Sequence, residues 1–313
     1  DQLLSSEETG LSVALNEFFA SVQAVTESPS SLVLREQVLN DAERYITRYN
    51  SVVNQVEQIA GQVESAITAQ IDQVNNLAGS IAELNRQIAS TASLAGSAQP
   101  NDLLDQRDQQ LRELAEYINF TTSTDNKGGV NVFIGGGQAL ILGGEAKELT
   151  AVRGVGTGEQ LEIAIVKGSS QQIITERIRG GQIGGLLQLR DSGVDSALNQ
   201  LGMLQTQLSY AFNSLHRQGV DLNGNNGGEF FTSVNDRSVT LSRVTRNASN
   251  TSTDAVISVT LDNPSLLTAS DYSLRFSDSG SLLGYQLVRA DDGTVVSQGN
   301  LPQSFPQTIE VGD

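Results

Sequence analysis

A run of apolar residues at heptad spacing constrains this chain more than any other feature. Ile46, Val53, Ala60, Ile67, Val74, Ile81 and Ile88 recur every seven residues, and Tyr49, Val56, Val63, Gln70, Leu77 and Leu84 fill the second seam position three residues on. Gln70 is the only polar residue among them. No proline interrupts residues 46–88, so the spacing predicts one long helix that buries a stripe along its length. One flank of the seam reads Val52, Ile59, Ala66, Gln73, Ser80 and Gln87, where a free two-stranded coil carries paired Glu and Lys. A wide stripe without charge pairing points to burial inside a multi-helix bundle or a polymer. Ile46, Tyr49, Val53, Val56, Val63, Ile67, Val74, Leu77, Ile81, Leu84 and Ile88 are therefore the candidate packing or assembly seam. A scaffold or assembly protein is the leading class.

Composition narrows the function further. The 313 residues include no Cys, no Trp, one His and one Met, with a formal net charge of −17. Disulfides, thiolate metal sites and thiol nucleophiles are excluded. The acidic balance argues against nucleic acid or anionic lipid as a partner, since phosphate contacts need an excess of Lys and Arg. No stretch approaches the roughly 18 continuous apolar residues of a membrane span, so no membrane insertion is expected. No charged-then-apolar leader opens the sequence, which predicts no cleavable signal peptide. Asp1 and Asp313, the latter directly after a strand-like run, give the sequence the look of an excised fragment.

Along the chain, residues 3–118 are helical in pattern. A first helix presents Leu11, Leu15, Phe18, Phe19, Val22 and Val25 and ends before Ser28-Pro29-Ser30. Ser30 is a cap candidate for the long helix. That helix runs to about Leu94, on the order of 90 Å at the usual rise per residue. Gly61 and Gly79 fall on its solvent side. A small-residue loop over 93–100 precedes a third helix with Leu104, Leu111, Leu114 and Ile118. Residues 119–180 change texture: half of the chain's 30 glycines lie between Gly128 and Gly185, interleaved with short alternating runs that predict a small antiparallel sheet of hairpins. A fourth helix follows with Leu186, Leu187, Leu201, Leu208, Phe212 and Leu215. Residues 255–261, 272–276, 284–288, 294–297 and 308–311 read as strands between turn clusters. The fold class is thus α+β multidomain: a long-helix bundle with a small antiparallel sheet, then an all-β domain. Residues 1–217 form the helical domain with inserted hairpins at about 119–180. Residues 218–313 are expected to form an outward β-domain that reads as truncated. The seam is expected to pack on the first and fourth helices, and residues 221–228 to act as a polar linker.

The search for chemistry finds no catalytic, cofactor or metal site. His216, the only imidazole, sits at a helix end, which suits a C-terminal helix residue better than a triad base. Gly135-Gly136-Gly137 and Gly180-Gly181 lack the spacing of phosphate-binding loops and read as turns. Asp221, Asn223, Asn225 and Gly227 imitate a calcium loop, yet its twelfth position is Thr232 rather than a bidentate acid. The acid pairs Asp102 with Asp105 and Asp291 with Asp292 lie on polar faces or turns. Phe230, Phe231, Tyr272, Phe276, Tyr285 and Phe305 fall where a core would take them.

Several segments carry a resemblance. Residues 100–108 (PNDLLDQRD) precede 129–135 (GVNVFIG), after a long heptad helix. Residues 18–22 (FFASV) lie ahead of these, and 181–190, 211–216 (AFNSLH), 219–224 (GVDLNG) and 267–272 (LTASDY) follow in order. Together, over most of residues 10–290, they resemble the hook-associated protein 1 family of the bacterial flagellum. The resemblance implies a non-enzymatic, extracellular adaptor ring that joins hook to filament and is required for filament assembly and motility. It implies export by the flagellar type III apparatus. Implied partners are further copies in a homo-oligomeric ring, hook protein on one side, the second hook–filament junction protein on the other, and an export chaperone bound through a C-terminal region absent here. Family members also carry terminal segments that pair into an inner helical layer, and a C-terminal helix that returns to the long-helix domain. An adhesin or other non-catalytic binding module on a helical stalk is the alternative from a different class.

Overall fold

The computed structural model describes residues 10–92, 100–126, 128–153, 160–168, 170–247, 250–251, 255–278, 282–290 and 292–311. Three helices open the chain: α1 (Leu11–Glu27), α2 (Leu32–Ala92) and α3 (Asn101–Tyr117). Strands β1 (Phe120–Thr124), β2 (Val130–Ile134), β3 (Gln138–Leu142), β4 (Glu145–Ala146), β5 (Leu149–Arg153), β6 (Leu161–Lys167) and β7 (Ser170–Ile173) follow. Helix α4 (Gly181–Gln188), a π-helical segment (Leu189–Asp195), α5 (Ser196–His216) and the short α6 (Arg237–Ser242) lead to β8 (Tyr272–Asp278), β9 (Leu282–Arg289) and β10 (Val295–Pro302). The fold is the expected long-helix architecture with small antiparallel sheets and a C-terminal β region. Among the described residues no helix is long and apolar enough to cross a membrane. The loop expected at 93–99 lies outside the described residues, as does Asp291.

The chain divides into two compact units. One comprises Asp1–Ile59, Val194–Val244 and Val256–Asp313; the other comprises Ala60–Gly193 and Thr245–Ala255. Helix α2 contributes to both. These units cut the chain at places other than residue 218, and the boundary expected there enters the proposal below.

The buried row on α2 differs from a strict heptad. It runs Val38, Ala42, Tyr45, Tyr49, Val52, Val56, Ile59, Val63, Ile67, Ile71, Val74, Ala78, Ile81, Asn85 and Ile88, with Tyr49 and Ile59 half-buried and the others buried. Steps of three and four alternate except across 56–71, where three steps of four follow one another from Ile59. Fifty residues in fourteen steps give about 3.6 residues per turn, the repeat of a straight helix rather than a supercoil. Of the seam positions, Val56, Val63, Ile67, Val74, Leu77, Ile81 and Ile88 are buried, Tyr49, Val53 and Leu84 are half-buried, and Ile46 is 39% exposed. Gly61 and Gly79 are exposed, as expected.

The partners of the row change along the helix. In the first unit, Phe18 of α1, Val38 and Ala42 of α2, and Phe231 form one core cluster, with Leu15, Val22, Phe212 and Phe230 packed on it. In the second unit, α2 meets strands as well as helices: Asn75 bonds Leu149, Asn85 bonds Val130 and Gly143, and Gln70 bonds Gln182 of α4. The expectation that helices alone cover the seam therefore fails beyond residue 60, because the glycine-rich region folds onto it.

Two small sheets stand where one was expected, in the orders β1-β2-β3-β4 and β5-β6-β7, all antiparallel. A third sheet has the order β10-β9-β8. Residues 255–261 join no sheet: the N–H and C=O of Leu261 pair with the Asn235 amide, and the Val259 N–H goes to the Thr240 carbonyl. Residues 308–311 are not a strand either. We expect Ile67→Asp to cost several kcal/mol, since Ile67 is fully buried, and Ile46→Asp to cost far less. Urea unfolding of the two variants checks this; equal losses would mean that the strict heptad, not the 3.6-residue row, is the buried face.

Candidate functional site

The residues that resemble chemistry in the sequence are occupied structurally. His216 lies at the end of α5, stacked on Phe212 at 6.3 Å between ring centroids, with Nδ1 at 2.7 Å from the Gly228 carbonyl. Asp221 Oδ1 accepts from the backbone N–H groups of Asn223 and Asn225, both at 2.8 Å, and Oδ2 from the Asn225 amide at 3.1 Å. The Asn225 and Asn223 donors hold its carboxyl below the usual range. The carboxylate thus closes its own turn. Among the described residues no three His, Asp or Glu side chains are placed to hold a metal ion.

The segment that follows α5 is tied back to it. The Asn213 amide donates to the Phe231 carbonyl at 2.8 Å, and its oxygen accepts from Phe230 and Phe231 at 3.0 and 2.9 Å. Arg217 pairs with Glu229. A Cβ on Gly227 would come within 2.0 Å of the His216 carbonyl oxygen, so the chain folds back tightly onto α5.

The same device recurs in the second unit. Asn75 pairs with both backbone groups of Leu149 at 2.8 Å each. Asn85 pairs with both groups of Val130, at 2.8 and 3.0 Å, and also reaches the Gly143 carbonyl at 2.7 Å. Buried Arg107 donates to the Gly128 carbonyl at 2.8 Å, and buried Arg190 to the Leu161 carbonyl at 2.6 Å. Leu149, Val130 and Leu161 are the first residues of β5, β2 and β6, so helices grip strands at their starts. The double glycine 180–181 serves close approach: a Cβ on Gly181, at φ +63, would sit 2.5 Å from the Tyr117 carbonyl oxygen. The sequence signal for these grips was present in the recognisable segments, which contain Arg107, Arg190, Asn213 and Gly181.

Two surfaces remain. A groove of about 760 Å³ between α2 and α3 is lined by Asn75, Asn76, Gly79, Ser80, Glu83, Leu84, Gln106, Gln109 and Gln110. It pairs no nucleophile with a base. In the first unit, Tyr45 donates to Gln205 Oε1 at 2.9 Å and Tyr49 to the Leu201 carbonyl at 3.2 Å, which sets α2 and α5 antiparallel. In that register Ile46 is level with Leu204 and Leu39 with Ala211. Leu32, Leu39 and Ile46 on α2, and Leu204 and Leu215 on α5, are all exposed. On α2, the exposed Leu32, Leu39 and Ile46 recur at heptad spacing beside the buried row.

The fold and these grips can be compared with known proteins. The family model described as Flagellar hook-associated protein FlgK helical domain matches residues 1–231. The chain belongs to this family. It is 31% identical over 281 residues to Flagellar hook-associated protein 1 of Escherichia coli (strain K12), covering 89% of this chain and 50% of that protein. It is 30% identical over 296 residues to the namesake in Salmonella typhimurium, covering 94% and 52%. A solved structure described as the flagellar hook junction protein FlgK from Burkholderia pseudomallei superposes with a TM-score of 0.78 at 28% identity, over 99% of this chain and 54% of that one. The chain spans about half the length of the relatives it matches. The FlgK family is one of structural flagellar components and not of enzymes, so the surfaces above are those of a flagellar part.

We expect Asn85→Ala to cost about 2–3 kcal/mol, because it strands the two buried backbone groups of Val130 and the half-buried Gly143 carbonyl, and the exposed Asn76→Ala to be nearly neutral. Urea midpoints check this, and an equal response at the two positions would count against the grip. Burial, with Tyr49 beside it, pushes the Tyr45 hydroxyl up to about 12. A folded value above the unfolded one stabilises the neutral form, so this contribution is full below pH 10 and fades as pH rises from 10 to 12. Tyr45→Phe should flatten the alkaline loss of stability in that window; thermal melts at pH 9 and 11.5 would reveal an unchanged slope if the expectation is wrong.

Proposed function

We propose that the chain belongs to the adaptor ring at the junction of flagellar hook and filament, on which filament assembly and motility depend. The observation that carries this reading is the family match over residues 1–231 together with the backbone agreement over almost the whole chain. In this reading the protein acts outside the cell after export by the flagellar type III apparatus. Copies of it pack side by side in a ring, with hook protein below and the second hook–filament junction protein above. The export chaperone binds a C-terminal region beyond this chain. Residues 1–217 supply rigidity and neighbour contacts, and residues 218–313 project outward. The exposed surface of Leu32, Leu39, Ile46, Leu204 and Leu215 receives the returning C-terminal helix of the full-length protein. The candidate seam serves internal packing where it is buried and assembly where it is exposed. No catalysis is involved.

Deleting the gene should leave hooks without attached filaments, non-motile cells and flagellin in the medium. Full-length genes carrying His216→Ala or Asp221→Ala should restore swimming, whereas Ile67→Asp should not. Loss of swimming from either alanine variant, with folding and export intact, would overturn the adaptor-without-chemistry reading.

A further inference from the structure

Two Asn-Gly steps follow α5 in close succession, Asn223-Gly224 and Asn226-Gly227. Asparagine before glycine is the pair most prone to deamidate, because the glycine nitrogen can attack the side-chain amide carbon with no Cβ in the way. The attack requires that peptide to swing toward the side chain, so the fold decides which of two identical steps reacts. Gly227 is locked. Its N–H donates to the Gly219 carbonyl at 2.9 Å, and Asn226 pairs with Val220 in an antiparallel bridge. A Cβ on Gly227 would lie 2.0 Å from the His216 carbonyl oxygen, so this peptide has no room to turn. Gly224 is open. Asn223 and Gly224 are both exposed, and a Cβ on Gly224 would meet nothing within 4 Å. The Gly224 N–H donates at 3.1 Å to the Asp221 carbonyl, a bond that closes only its own turn. With φ at +83, this turn demands glycine and so keeps the reactive pair in place.

We infer that Asn223 is a site of spontaneous modification, closing to a succinimide in the folded protein while Asn226 is spared. The Gly224 nitrogen gives its proton to hydroxide and bonds to Asn223 Cγ. The Cγ–Nδ2 bond breaks, and the amide nitrogen takes a proton from water and leaves as ammonia, which regenerates the hydroxide. Water then opens the ring at either carbonyl, giving aspartate or isoaspartate, the latter with the main chain routed through the side chain. In sum, water is consumed and ammonia released, with no oxidation or reduction. The product sets a carboxylate beside that of Asp221, whose Oδ1 accepts from the Asn223 N–H at 2.8 Å. Isoaspartate also adds a methylene to a turn that the Asp221 N–H closes on the Asn225 carbonyl at 2.8 Å. Like charge and a longer backbone both loosen that turn.

Ageing the protein at mildly alkaline pH and digesting samples for mass spectrometry reads both sites, since fragment ions separate Asn223 from Asn226. In the folded protein, deamidation at Asn223 should outpace that at Asn226 by about tenfold or more, because Asn226 must first open its bridge. Isoaspartate should be among the products. In guanidinium the two rates should converge, since the dipeptides are alike. Equal rates in the folded protein, or faster conversion at Asn226, would overturn the inference. So would an Asn223 that stays intact in the folded protein while the denatured chain converts. Aspartate without isoaspartate would mean direct hydrolysis and would overturn the succinimide route. A difference that persists in guanidinium would assign the selectivity to neighbouring residues rather than to the fold, and would overturn it equally.

Discussion

A strand whose ladder has ended leaves peptide groups that water cannot reach, and here helix side chains take them up. Val130 begins β2, but β2 pairs with β3 only from Val132 onward. Its N–H and C=O on that side go to Asn85 instead. β5 is an edge strand, and Asn75 pairs with both groups of its first residue, Leu149. A carboxamide reproduces the donor and acceptor of a peptide unit, so one Asn replaces one step of a missing neighbour strand. Outside the strands, Asn213 pairs in the same way with both groups of Phe231, and Asn235 with both groups of Leu261. The two small sheets rest on α2, α3 and the π-helical segment through such grips.

Apolar contact alone would not define this fold. A greasy helix face tolerates sliding by a residue or two, since its energy depends on area rather than direction. A paired amide accepts one residue only, because any other register strands a buried donor and acceptor at about 1–3 kcal/mol each. Arg107 and Arg190 act similarly through single carbonyls.

The helices, the hairpin region and the three C-terminal strands were legible because their periodicity is local. β1 and β5 were not: Phe120–Thr124 is polar and mostly exposed, and Leu149–Arg153 follows a turn so closely that its alternation is short. Strands at 255–261 and 308–311 were expected from β-branched composition, but composition does not say whether a partner strand exists. Residues 221–228 lack apolar periodicity, and the side chains that hold the segment after them, Asn213 and His216, sit on the preceding helix. Tyr272, Phe276 and Phe305 looked like core residues, yet they are exposed in this chain. The recognisable segments were read as family marks, and three-dimensional proximity alone turns Arg107, Asn213 and Gly181 into grips.

The heptad that identified α2 also explains why one helix serves two surfaces. Seven residues fall about 20° short of two full turns on a straight helix, so a strict heptad line drifts around the axis. Leu32, Leu39 and Ile46 lie on the same line as Ile67, Val74, Ile81 and Ile88. From Leu32 to Ile67 is five heptads, a rotation of about 100°. The line therefore begins on an exposed face, with Leu32 at 73% and Leu39 at 54% exposure, and ends fully buried at Ile67, Val74 and Ile81. A supercoiled partner would have kept the whole line on one side. Because α2 is held to sheets and helices of its own chain at the straight-helix repeat, the early heptads are left facing outward.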